Sequence, residues 1–187
     1  AKQWRDLLIN TLNWLITQNG TSGSKLYQMM DTTRVSFMGH SFGAASSIWA
    51  SAIDSRVSQC CIALAPPSWT ETASSTTTSK FGNVDPSVIF AGEKDAAASL
   101  DVPTLIVSDS ADTFCPPNFC KDIYNALASA PAKEFITVHS TASGLLSSDT
   151  GAGHCDFIDA SLAGFLGCDT NAGSVIQRYT KNWIDYY

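Results

Sequence analysis

Strands and helices alternating along the chain predict an α/β protein, a parallel sheet with flanking helices joined by right-handed crossovers. Short apolar runs recur at 34–38, 57–64, 103–108 and 133–139, separated by stretches whose apolar residues fall three or four apart. The chain has 187 residues, 44% hydrophobic and 10% aromatic, which suits one core and excludes a disordered polymer. No apolar run approaches the ~20 residues that span a bilayer, and no signal-peptide pattern is recognised. Residues 1–187 therefore read as a single domain.

The first helix, 2–18, follows from Trp4, Leu7, Leu8, Leu12, Leu15 and Ile16 at helical spacing. The strand Arg34-Val35-Ser36-Phe37-Met38 comes next, then an alanine-rich helix over 42–53 and a strand over 57–64. The segment 65–102 is far longer than the 2–6 residues of an ordinary strand-to-helix loop. It contains the low-complexity tract Ala73–Ser79 and forms either a lid or cap, or a plain surface excursion. Pro103–Ser108 is the third strand, and Pro116-Pro117 opens a helix over 117–129. A strand over 133–139, a short helix over 155–166 and a closing helix over 173–186 complete the order. Val175, Ile176, Tyr179, Trp183 and Tyr186 or Tyr187 give the closing helix one apolar face for the core.

Gly39-His40-Ser41-Phe42-Gly43 has the pattern G-x-S-x-G between a strand and a helix. Such a turn is sharp enough to present a serine hydroxyl at its tip, and glycines at 39 and 43 remove Cβ atoms from the crowded flanks. Ser41 is the nucleophile candidate, with His40 packing inside the elbow. A serine needs a base, and the base an orienting acid, in the chain order Ser, acid, His. Downstream lie His139, at the end of a strand, and His154, in the small-residue loop Thr150-Gly151-Ala152-Gly153-His154. His154 is favoured because that loop lets an imidazole hang over the sheet edge. Asp109 and Asp112 both follow the strand at 103–108. Asp112, deeper in the loop, is favoured as the acid, and Asp109 is suited to capping turn amides. Asp156 and Asp159 read as helix-start carboxylates.

Val35 to Gly43, Asp112 with its following prolines, and Gly153-His154 resemble the α/β-hydrolase superfamily. The likeness is strongest to its cutinase-like polyester hydrolases, platelet-activating-factor-acetylhydrolase-like enzymes and dienelactone-hydrolase-like proteins, and covers roughly residues 4–187. Dienelactone hydrolases proper carry a cysteine at the elbow, where this chain has Ser41. The resemblance implies a serine hydrolase of carboxylic esters working through a Ser41–Asp112–His154 triad and an acyl-enzyme. It further implies an oxyanion donor in the Phe42 amide and an acyl-cleft contact at Trp69, for which a simple core role is the alternative. The helix at 2–18 matches the one just before the elbow strand in that superfamily, so the chain reads as the C-terminal portion of the fold. The N-terminal strands, and the loop that supplies a second oxyanion donor, are expected to be absent.

A net charge of −6, with scattered basic residues, argues against nucleic acid and anionic membranes as partners. The expected substrate is a small or polymeric uncharged ester, and no metal or organic cofactor is required. No C-x₂-C pair supports a zinc site, and six cysteines favour structural disulfides. Cys115 with Cys120 and Cys155 with Cys168 have spacings that suit bridges, although six cysteines allow 15 full pairings. With the sequon Asn19-Gly20-Thr21, this points to a secreted or extracytoplasmic protein. Two other readings stand beside the esterase. One is a catalytically impaired module that binds a partner, or dimerises, across an exposed sheet edge. The other is an acyltransferase or peptidase using the same triad.

Overall fold

The computed structural model describes residues 2–68, 90, 92–140, 152–157 and 168–187. Among them the chain runs α1 (Lys2–Gly20), β1 (Ser36–His40), α2 (Phe42–Ile53), β2 (Cys60–Leu64), α3 (Glu93–Ser99), β3 (Thr104–Asp109), α4 (Pro117–Ala126), β4 (Lys133–Val138) and α5 (Thr170–Tyr186). A 3₁₀ turn at Ala152–Cys155 carries His154. The four strands form one sheet in the order β1-β2-β3-β4, every pair parallel.

Strand periodicity sorts the core into two layers. On one face Cys61 and Ala63 of β2 and Ile106 of β3 pack with Leu12 of α1, Ile48 and Trp49 of α2, and Ile123 of α4. On the other, Cys60, Ile62 and Leu64 of β2 with Leu105 and Val107 of β3 meet Ala172 and Ile176 of α5. The adjacent Cys60 and Cys61 thus point to opposite layers, both fully buried. Burying each large side chain contributes roughly 1.5–3 kcal/mol, so the two central strands hold the fold together.

Several boundaries differ from the sequence reading for local reasons. The Val35 carbonyl accepts the amides of Ser58 and Gln59, so the ladder begins at Ser36 opposite Cys60 and runs on to His40. Arg56 folds back onto the Asp54 carboxylate and the Val57 amide donates to the Asp54 carbonyl. That turn leaves Val57 buried but outside β2. α5 starts three residues early because Asp169 caps it, its carboxylate accepting the Asn171 and Ala172 amides. α3, packed on α2 and α4, was not anticipated within 65–102. Most of the expected lid, at 69–89 and 91, and most of the expected helix 155–166 lie outside the described residues.

β1 is an edge strand of the sheet. Between it and α1 runs a groove of about 370 Å³ lined by Leu8, Leu12, Leu15, Ile16, Val35 and Met38 among others. Trp4, Leu7 and Trp14 of α1 and Met38 of β1, which lines the groove, are exposed. Among the described residues, no helix is long and apolar enough to cross a membrane.

Cys155 and Cys168 are joined in a disulfide, Cα atoms 5.7 Å apart. The expected Cys115–Cys120 bridge is not formed. Both residues are buried, and the Cys120 thiol is directed to the carbonyls of Pro66 and Cys115 instead. The bridge closes a loop of sequence separation 13 that ties the 3₁₀ turn to the start of α5. Removing it as Cys155→Ala/Cys168→Ala is expected to cost about 3 kcal/mol, read as a lowered urea midpoint against the oxidised wild type.

Candidate active site

β1 ends at His40 and α2 begins at Phe42, so Ser41 alone makes the turn, with φ 57° and ψ −124°. A non-glycine residue at positive φ is strained and persists only where its surroundings hold it. Here the Ser41 amide donates to the Leu64 carbonyl at the end of β2, and the Ser41 carbonyl accepts the Ala44 amide. The turn also forces Gly39 against the start of α2: a Cβ there would lie 2.2 Å from the Gly43 carbonyl oxygen. A Cβ on Gly43 would meet nothing within 4 Å. Only the first elbow glycine therefore removes a clash; the second matters for the backbone that Gly39 approaches.

A serine preceding a helix ordinarily turns its hydroxyl onto the first-turn amides. Ser41 makes no such cap. Its Oγ lies 3.0 Å from His154 Nε2 instead. His154 Nδ1 is 2.8 Å from Asp112 Oδ2. The carboxylate can only accept, so the Nδ1 proton belongs on that side and Nε2 is the acceptor facing Ser41. Asp112 is buried, and its other oxygen accepts the Phe114 and Cys115 amides at 2.8 Å each. Those two bonds fix the carboxylate's orientation toward the imidazole.

Ser41, Asp112 and His154 are thus joined by hydrogen bonds at the carboxyl end of the sheet. His139 is exposed just beyond β4. Asp109 is fully buried and accepts the Ala111 amide, so it does cap a turn amide. Phe42 opens α2, its ring 5.3 Å from that of Phe90. Trp69 lies outside the described residues.

His40 packs inside the elbow as expected, and Phe114 and Phe157, which the sequence did not single out, help to frame the imidazole. The His154 ring packs 4.5 Å from His40 and 5.1 Å from Phe114, and His40 stacks on Phe157 at 5.2 Å. Burial, and then the neighbouring His154, push His40 down to about 4, so it stays neutral at ordinary pH. Gly153 is not merely a flexible link. A Cβ there would lie 2.4 Å from Asp109 Oδ1 and 2.5 Å from the Asp112 amide. A glycine directly before the histidine was the available signal, but which residues it must clear is set by distant parts of the chain. Cys155, Asp156 and Cys168 cluster with metal-ligand spacing, but the two sulfurs are bonded to each other and are not available as thiolates.

With this geometry in view, a family model described as PET hydrolase-like matches residues 3–101. The chain belongs to the PET hydrolase-like family. The matched span holds the Ser41 elbow; Asp112 and His154 lie beyond it. Among solved structures, the chain is similar to a putative dienelactone hydrolase from Klebsiella pneumoniae subsp. pneumoniae, with a TM-score of 0.58 and 15% identity. That match covers 96% of this chain and 59% of the other, so the chain spans somewhat over half the length of that structure. At such identity the likeness speaks to fold, an α/β-hydrolase fold in this PET hydrolase-like chain. No curated protein matches it.

The elbow glycines make a paired prediction. Gly39→Ala must displace backbone of α2 and is expected to cost about 3 kcal/mol or more. Gly43→Ala is expected to stay within about 1 kcal/mol of wild type. Urea unfolding of the two variants side by side checks both.

Proposed function

We propose that this PET hydrolase-like chain is a serine hydrolase that cleaves carboxylic esters through an acyl-enzyme. The hydrogen-bonded series Ser41–His154–Asp112 carries the reading. As the ester carbonyl approaches, His154 Nε2 takes the Ser41 hydroxyl proton and Oγ forms a bond to the carbonyl carbon. Asp112 holds the Nδ1–H tautomer and stabilises the imidazolium. The tetrahedral oxyanion is stabilised by the Phe42 amide, in the positive first turn of α2, together with a second donor. Collapse breaks the ester C–O bond, and His154 returns its proton to the leaving alkoxide. Water then attacks the acyl carbon with His154 again as base, releasing the acid and restoring Ser41.

The family's description, the apolar Phe42 and Phe90 rings and the net charge of −6 support an uncharged ester with apolar or aromatic groups, small or polymeric. The Cys155–Cys168 bridge supports a secreted or extracytoplasmic setting.

Ser41→Ala and His154→Ala are each expected to lower hydrolysis of a short-chain aryl ester by at least roughly 10³-fold, and Asp112→Asn by roughly 10³–10⁴-fold. A fluorophosphonate probe is expected to label wild type stoichiometrically at Ser41, with the adduct located by mass spectrometry and lost on prior denaturation. Folded protein that takes no label would overturn the hydrolase reading in favour of a binding module. Product partition between water and an added alcohol or amine separates hydrolysis from acyl transfer.

A further inference from the structure

Behind the His154–Asp112 hydrogen bond lies a second pair of carboxyl groups that the proposed mechanism does not use. Asp109 ends β3 and is fully buried; Asp156 follows the 3₁₀ turn and is 1% exposed. The two side chains interact with each other. Each has one oxygen committed to a backbone donor: Asp109 Oδ1 accepts the Ala111 amide at 2.8 Å, and Asp156 Oδ1 the Asp169 amide at 2.7 Å. The remaining Oδ2 of each is shielded from solvent and has no hydrogen-bond donor among the described residues. Two ionised carboxylates cannot satisfy one another, since both only accept. One proton between them supplies the missing donor and removes one of two like charges from a dry site.

We propose that Asp109 and Asp156 share a single proton, and that this acid–carboxylate pair is a positioning device clamping the His154 turn onto the Asp112 loop. The elements it joins are those that must meet for the proposed chemistry. Asp109 accepts the amide of Ala111, whose carbonyl in turn accepts the Gly153 amide at 3.4 Å. Asp156 donates its own amide to the Gly153 carbonyl and is anchored to α5 through Asp169. Burial pushes both carboxyls up, Asp109 to about 7 with the Asp156 and Asp112 charges adding to the effect. Around the pair stand the Asp112 carboxylate on the β3 loop, the Ser140 hydroxyl beyond β4, which also hydrogen-bonds the Asp156 carboxyl, and the Asp169 carboxylate at the start of α5. Among the described residues, no lysine or arginine interacts with either member.

The folded protein holds this proton more tightly than the unfolded chain, so its contribution to stability is full below the ordinary carboxyl range, declines as pH rises from there and is gone once pH has passed about 7. Asp109→Asn tests this, because its amide donates permanently where the shared proton did. Thermal unfolding of wild type is expected to weaken by several degrees between about pH 5 and pH 8 relative to Asp109→Asn, and to run parallel to it above that. Glu93, also buried with its ionisation pushed well up, is common to both proteins and cancels in the difference. Infrared difference spectra at about pH 6 are expected to show a protonated-carboxyl stretch in wild type that Asp109→Asn lacks. If Asp109→Asn does not fold, Asp156→Asn places the amide on the other side of the pair and is read in the same way.

Because the clamp acts on the proposed triad, the idea rests on the hydrolase reading for its consequence. The ratio of wild-type to Asp109→Asn fluorophosphonate labelling rates at Ser41 is expected to fall several-fold over the same pH range. Parallel stability curves, or no such infrared band, would overturn the shared proton. A changed stability curve with a flat labelling ratio would overturn the positioning role. Absence of label in both proteins at every pH would instead reject the hydrolase reading, while unfolding and infrared spectra still decide the pair.

Discussion

The site depends on the close approach of Gly153 to the turn that follows β3. Backbone of the His154 turn sits so near Asp109 and Asp112 that no side chain fits between them. Only at that distance can His154 Nδ1 reach Asp112 Oδ2, and only then does Nε2 face Ser41. Three residues drawn from positions 41, 112 and 154 are therefore aligned by a contact in which none of their side chains takes part. The Cys155–Cys168 bridge and the Asp169 cap hold the far side of the turn against α5, so the approach is secured from both directions.

The elbow shows the same logic on a shorter scale. Central strands of buried apolar residues fix where β1 and β2 end, and the Ser41 amide is tied to the last residue of β2. That tie maintains a positive φ at a serine, a conformation a free loop would relax. The hydroxyl consequently forgoes the helix cap it would otherwise make and remains directed at His154. Preorganisation of this kind would place the proposed nucleophile before substrate arrives, which is where electrostatic catalysis gains most.

Electrostatics around the proposed triad are arranged by burial more than by ion pairs. His40 is held neutral beside His154, and Asp112 has two backbone donors on the oxygen that does not face the imidazole. The acidic groups further back would repel one another if all were ionised, and a shared proton relieves that strain without a cation. The edge of β1 and the groove beside α1 leave apolar residues uncovered.

Much of this was legible in the residues themselves. Alternating apolar periods gave a parallel α/β sheet, and the elbow pattern between a strand and a helix drew attention to Ser41. Chain order narrowed the acid to two aspartates and the base to two histidines, because strand ends and loop lengths restrict what can reach the elbow. Where the sequence stopped short, the deciding contacts were long-range. Asp109 and Asp112 stand in similar local settings, and only the packing of Gly153 determines which one faces His154 and which is buried against Asp156. Cys115 and Cys120 have a spacing that suits a bridge, but both are buried unbridged and the Cys120 thiol is directed to backbone carbonyls instead. Local pattern determines which residues are able to do chemistry; the distances between loops, set by how helices pack across the sheet, decide which of them meet.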